Sequence, residues 1–526
     1  MRLRKEQWIS LGLILCVCGA VIGCMFLKKT TGPDSPRESG ALEALRESAG
    51  ETQQVTPQIK KSLPRGAGAW LTVGTDSPLL RAPAPPEKGG EYDPLPAGGE
   101  ELRYTGLFDE TLISSVAPAS TTYASGGSKL EITTLPPSRE PVTGQAAGPQ
   151  EEMRAVWITC YEISMKAQKG GNEALFSQKI DEMFARVQQA GFNTVIVQIR
   201  PYSDAFYPSG IFPWSAYLTG TQGKDPGYDP LAVLVKRAHA HKLSIHAWFN
   251  PYRVSYNPDF SPLSKDNPAR QWKEDANKAN DQRLFVLENG IYYNPAVPEV
   301  QRMIIDGVRE IVENYEVDGV HMDDYFYPST DAKIDQAQYD AYVKGGGQYS
   351  RAAWRRENVN TFVSGLYAAV KSIRPEVLVG ISPAGDIAKN REKLYADAAR
   401  WGGSEGYVDY LMPQLYYGFE NSASPFEKTA RQWAELVTCG SVKLYAGLAI
   451  YKSGEEDVYA GAETAEKKGP RYEWIGSSDI ISRQVKWTRQ TKPYAGFALY
   501  SYQYAFGDSR SKSQRREFEL LQELLV

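Results

Sequence analysis

The run Val317-Asp318-Gly319-Val320-His321-Met322-Asp323-Asp324-Tyr325-Phe326-Tyr327-Pro328 ends an apolar, strand-like stretch in two adjacent carboxylates and three aromatic rings. Paired carboxyl groups are the working parts of glycosidic-bond hydrolysis. One protonates the leaving oxygen, and the other attacks the anomeric carbon or activates water. If Val320 and Met322 pack outward, strand alternation turns His321 and Asp323 to the opposite side, into the mouth of a barrel. Two surface acids opening a loop or capping the next helix would give the same letters. Asp323 is the first catalytic candidate.

Such a pair needs rigid elements to aim it. From residue 152 onward, apolar strand-like runs alternate with helical patterns. The expected strands are Arg154 to Thr159, Thr194 to Ile199, Leu243 to Phe249, Val317 to Asp323, Val377 to Ser382, Tyr407 to Met412, Lys443 to Ile450 and Tyr494 to Tyr500. Eight such units predict an α/β fold, a closed (β/α)8 TIM barrel over residues 151–526. Between the second and third strands, Asp229 and Pro230 read as the cap and first position of a helix packing Leu231, Leu234, Val235 and Ala238 on the sheet. The connection from Pro251 to about Pro298 is far longer than usual and predicts an insertion covering the substrate.

In this fold, ligands meet the C-terminal ends of the strands. The residues there are mostly polar or aromatic, and tyrosine dominates, with 32 copies against 17 phenylalanines. A rigid ring bearing a hydroxyl suits a sugar, which has an apolar C–H face and a polar edge. The candidate substrate contacts are Arg200, Tyr202, Asp204, Trp248, Asn250, Tyr252, His321, Tyr325, Gln414, Tyr416 and Tyr500. Each tyrosine alone reads equally as packing; it is their gathering at one face that points to carbohydrate.

No metal or cofactor is expected. The four histidines form no ligand motif, which leaves only an improvised site of Asp323, Asp324 and a histidine as an alternative. There is no glycine-rich phosphate loop after a strand and no serine elbow. A formal net charge of −4 with mixed signs gives no basic field for nucleic acid. Of five cysteines, only Cys160 and Cys439 fall in the globular part, so no disulfide framework is predicted.

The remaining sequence concerns location. Residues 1–29 hold the apolar run Trp8 to Leu27 between basic flanks, the layout of a secretory signal, lipoprotein signal or membrane anchor. Val21-Ile22-Gly23-Cys24 is similar to a bacterial lipobox, making Cys24 the candidate lipidation site, whereas the apolar Met25-Phe26-Leu27 behind it favours an uncleaved helix. Residues 30–150 are rich in Pro, Gly, Ser and Thr and are expected to be a disordered tether. Both anchors predict an extracytoplasmic protein held to the membrane by its N-terminus.

Across roughly Glu152 to Ser509, the chain resembles the bacterial glycosyl-hydrolase-like 10 family. The matching segments are Arg154-Ala-Val-Trp-Ile158, Gly191 to Ser209, Ala247-Trp-Phe-Asn-Pro-Tyr-Arg253, Asp318 to Pro328 and Met412-Pro-Gln-Leu-Tyr-Tyr417. The resemblance implies an envelope-associated glycoside hydrolase acting on cell-wall or other surface glycan, peptidoglycan strands among them. Gly319-Val-His-Met-Asp323 is also similar to the α-amylase-like strand whose final Asp is the nucleophile, with His321 in place of Arg. Against the Asp-x-Asp-x-Glu strand of family 18 chitinases, Tyr325 replaces the acid. The second carboxyl group is then Asp324 or Asp386, ahead of Asp204 and Glu420. A barrel that binds glycan and positions partner enzymes without cleaving is the alternative from a different class, kept open by the missing strand-end glutamate.

Overall fold

The computed structural model describes residues 152–525. The anchor, the tether and Cys24 lie outside the described residues.

Eight parallel strands close into a barrel in the order β1 (Met153–Ile158), β2 (Thr194–Arg200), β3 (Ser244–Phe249), β7 (Gly319–Asp323), β8 (Leu378–Ser382), β9 (Tyr410–Leu411), β10 (Lys443–Leu448) and β11 (Tyr494–Leu499), which returns to β1. All eight expected strands are present. Six are shorter than expected, and two of these, β7 and β9, start late for the same reason. Asp318 precedes β7 and its carboxylate accepts the Ile245 amide at 2.8 Å; Asp409 precedes β9 and accepts the Val379 amide. A side chain thus replaces a backbone partner where the neighbouring strand begins, and Pro413 has no amide to extend β9.

Alternation sorts the side chains into two layers. Val320 and Met322 of β7 pack in the outer layer between sheet and helices. Ala155, Trp157, Ile196, Trp248, Tyr410, Tyr445 and Ala498 fill the barrel instead. Two glycines make room for the inner rings: a Cβ on Gly319 would lie 2.7 Å from the His246 ring, and one on Gly380 would lie 1.8 Å from Cζ of Tyr410. These strands are glycine-bearing because aromatic groups from their neighbours occupy the space where side chains would stand.

The helices follow their sequence signals. Asn172 caps Glu173–Gln189, accepting the Leu175 amide, and that helix buries Phe176, Ile180, Met183, Phe184 and Val187 at three- and four-residue spacing. Pro230–Ala240 is capped by Asp229 as expected and buries Leu231, Leu234, Val235 and Ala238. The long connection after β3 is a small antiparallel sheet in the order β4 (Arg253–Ser255), β6 (Gly290–Tyr293), β5 (Leu284–Leu287), with the helix Pro268–Glu274. Ring closure is stapled by Glu162, in the loop after β1. Its carboxylate accepts the Thr159 amide beside it, and the Ser501 hydroxyl and Gln503 amide from beyond β11.

Candidate active site

The last residue of β7 is Asp323, turned inward and 4% exposed at the C-terminal mouth; Asp324 follows it, 5% exposed. The indole N–H of Trp248 on β3 donates to Oδ2 of Asp323 at 3.4 Å, and the Tyr325 amide also donates to this carboxyl group. Oδ1 has no protein partner among the described residues. Gln414, just past β9, donates from Nε2 to Oδ1 of Asp324 at 3.2 Å and to the Ser382 carbonyl at 3.0 Å.

Burial acts on both acids. Desolvation, then the neighbouring Asp324 charge, pushes the Asp323 carboxyl up to about 8, against the opposing pull of Arg253 and the Trp248 hydrogen bond. Asp324 is also raised by burial, but Lys389, Gln414 and Arg253 favour its charged form. Near neutral pH, Asp323 therefore holds a proton beside a better-compensated Asp324.

Beneath the pair lies a fixed polar network. Trp157 Nε1 donates to Nε2 of His321 at 3.3 Å, while Nδ1 of His321 and Nδ1 of His246 lie 2.9 and 2.8 Å from the Tyr410 hydroxyl. An indole can only donate, so Nε2 of His321 must accept. The neutral His321 then carries its proton on Nδ1 and donates a hydrogen bond to the Tyr410 hydroxyl, which in turn donates to Nδ1 of His246. Burial lowers both imidazoles, His246 to about 4, so neither is charged at neutral pH. With Ser382 Oγ also 3.0 Å from His321 Nε2, both ring nitrogens of His321 are engaged below the acids, not turned up to join them around a cation. Among the described residues, no group of three or more His, Cys, Asp or Glu side chains is arranged to hold a metal ion.

The other expected contacts divide. Trp248, Tyr325 and Gln414 adjoin the acids. Asn250 is buried at the end of β3, with Oδ1 unpartnered among the described residues. Tyr416 and Tyr500 lie together at the rim, ring centroids 5.9 Å apart, and Tyr202 stands half-buried on the other flank. Tyr252 instead is buried against Phe326 and Phe362. Arg200 is fully buried, its guanidinium over Phe212 and Phe249 at 4.7 and 5.2 Å, and the buried Asp204 hydrogen-bonds Ser215 and Gln222. All three are buried, and Arg200 lies close enough to feel the charge of Asp323. Asp386 is exposed and caps the short helix Ile387–Lys389, accepting the Lys389 amide at 2.9 Å.

Two cations near the pair were absent from the expected contacts. Arg253 reaches in from β4, its guanidinium 4.2 Å from the Tyr325 ring centre, and Lys389 acts on Asp324. Arg253 ends a segment that already stood out after the third strand. Lys389 had no signal, because its approach depends on the turn capped by Asp386.

A closed parallel barrel with paired acids at the end of its fourth strand and rings around its rim is the architecture of glycosidase-type barrels. The chain belongs to the glycosyl hydrolase-like 10 family, whose model matches residues 152–461. It is 41% identical over 322 residues to glycosyl hydrolase YngK of Bacillus subtilis (strain 168), a match covering 57% of this chain and 61% of that protein. The matched part thus spans less than two thirds of YngK. To glycosyl hydrolase DigH of Escherichia coli (strain K12) it is 35% identical over 346 residues, covering 60% of this chain and 77% of that one. Among solved structures, the glycoside hydrolase domain of PgaB from Bordetella bronchiseptica aligns with a TM-score of 0.45 and 13% identity, covering 70% of this chain and 98% of that domain. Likeness at that level carries no argument about chemistry.

Proposed function

We propose that this protein is a glycoside hydrolase acting on glycan of the bacterial cell envelope, peptidoglycan strands being the first substrate to test, and that its N-terminal segment holds it outside the cytosol. The observation that carries the reading is the buried pair at the end of β7, with Asp323 raised to about 8 and Asp324 beside Lys389 and Gln414. The pattern favours Asp323 as proton donor, the reverse of the nucleophile role expected from the amylase-like strand. Its proton passes to the glycosidic oxygen as the bond to the anomeric carbon breaks. Asp324 then either takes the proton of the attacking water or attacks the carbon itself before water releases it. Family membership supports a carbohydrate substrate, and the tyrosine-lined rim agrees with it.

Incubation of the protein with purified cell-wall glycan strands, followed by mass spectrometry, should yield shortened saccharides. Binding without any new reducing end would replace the enzyme with a scaffold that presents glycan to other enzymes.

A further inference from the structure

An aromatic track leaves the acid pair and runs up one flank of the barrel mouth. It begins at Tyr325, adjacent to Asp324. The Arg253 guanidinium lies over the Tyr325 ring at 4.2 Å and over the Tyr256 ring at 4.8 Å, and it donates to the Tyr256 hydroxyl at 3.2 Å. Tyr256 meets Tyr202 edge-on at 5.3 Å. Tyr202 stacks on Tyr217 at 6.2 Å with 18° between planes, and Tyr217 meets Tyr161 edge-on at 5.1 Å. The hydroxyls of Tyr161 and Tyr202 lie 3.3 Å apart.

These side chains come from the loops after β1, β2 and β7 and from the insertion after β3, so their convergence is made by the fold and not by one local segment. Two of these rings are open to solvent: Tyr161 is 47% and Tyr256 is 43% exposed. A single exposed ring is ordinary on a protein surface, so it is the adjacency of these rings that carries the argument. Here each is fixed from one side by a neighbour and presented on the other. Rigid, hydroxyl-rimmed rings set side by side match the alternating apolar faces and polar edges of successive sugars, and fixing them beforehand lowers the entropy lost on binding.

Resting on the hydrolase reading above, we propose that Tyr161, Tyr202 and Tyr256 form a distal binding site for further sugar units of the same glycan chain, so that the protein selects polymers over short saccharides. The chain runs from the acids past Arg253 and Tyr256 to Tyr161. The insertion after β3 therefore supplies the part of the track nearest the acids, Arg253 and Tyr256.

The test compares intact cell-wall glycan strands with strands enzymatically shortened to disaccharides. Dissociation constants are measured by calorimetry in the Asp323→Asn background, and KM in the unmutated background. Tyr161→Ala and Tyr256→Ala should each weaken the long strands about fivefold to tenfold, raise their KM similarly with little change in kcat, and affect disaccharides less. Tyr161→Phe should restore most of the binding, because the ring is kept. Tyr459→Ala, which removes an exposed tyrosine outside the track, controls for loss of an aromatic surface. Equal weakening for both lengths, or none, would overturn the proposal. If the unmutated protein binds long strands through these rings without cleaving them, the hydrolase reading fails and the track stands. If it binds neither length, both fall.

Discussion

At the scale of single residues, the decisive quantity is the proton on Asp323. A donor with a pKa of about 8 predicts an alkaline limb in the rate profile: kcat/KM should fall as pH rises through that value, and the limb should disappear with Asp323→Asn. That substitution keeps the shape and removes the transferable proton. We expect turnover to drop roughly 10²–10⁴-fold with glycan binding nearly intact. The same group bears on stability, and in the same pH direction. Between its ordinary value of 3.8 and about 8, the folded protein holds a proton that the unfolded chain has released. Stability attributable to this residue therefore declines as pH rises through that window. Asp323→Asn should raise the melting temperature above pH 8 by on the order of a few °C, and the gain should vanish below the unfolded carboxyl value. A melting curve unchanged by the substitution at high pH would show that Asp323 is ionised there at no cost. Sequence alternation was sufficient to point Asp323 into the mouth. It could not assign the proton, because Arg253, Lys389 and Gln414 are brought to the pair by turns far away in the chain.

At the scale of elements, the loop that follows the acids is held by a buried ion pair. Arg355, on the helix Arg351–Ile373, meets both carboxylate oxygens of Asp335 at 2.7 Å and also donates to the Tyr395 hydroxyl and the Asp331 carbonyl. Removing Arg355 leaves the buried Asp335 with only the partly exposed Arg351, 2.9 Å from its Oδ1. Arg355→Met should cost about 3–5 kcal/mol in denaturant unfolding. The close approach at Gly380 predicts a separate effect inside the barrel: Gly380→Ala would drive a methyl into Tyr410 and should destabilise by about 1–3 kcal/mol, loosening the hydrogen bonds to both histidines. All eight strands were legible because their apolar runs are bounded by helix caps and rim residues. The insertion was legible only as length, since its strands are three or four residues each and carry little alternation. Tyr252 and Arg200 were drawn into the site by their position after strands, yet their burial comes from rings on other segments: Phe326 and Phe362 for the first, Phe212 and Phe249 for the second.

At the scale of the whole molecule, location is the open prediction. Among the described residues, no helix is long and apolar enough to cross a membrane. The proposed display outside the cytosol therefore rests on the sequence of residues 1–29, outside the described structure. Protease added to intact, wall-stripped cells should reach the barrel. A fatty-acid label lost on Cys24→Ser would identify a lipoprotein, whereas an unlabelled protein keeping its original N-terminus would identify a membrane helix.

The Glu162 staple bears on how such a protein is made. It joins the start of the ring to Ser501 and Gln503, more than three hundred positions further along the chain, and β11 itself lies beyond the span matched by the family model. Until that last strand emerges, β1 and β10 present two raw edges, each able to pair with another nascent copy. Biogenesis is thus an all-or-nothing event. A chain interrupted before Tyr494 would retain both acids and every residue of the track, yet it would be a substrate for chaperones and proteases.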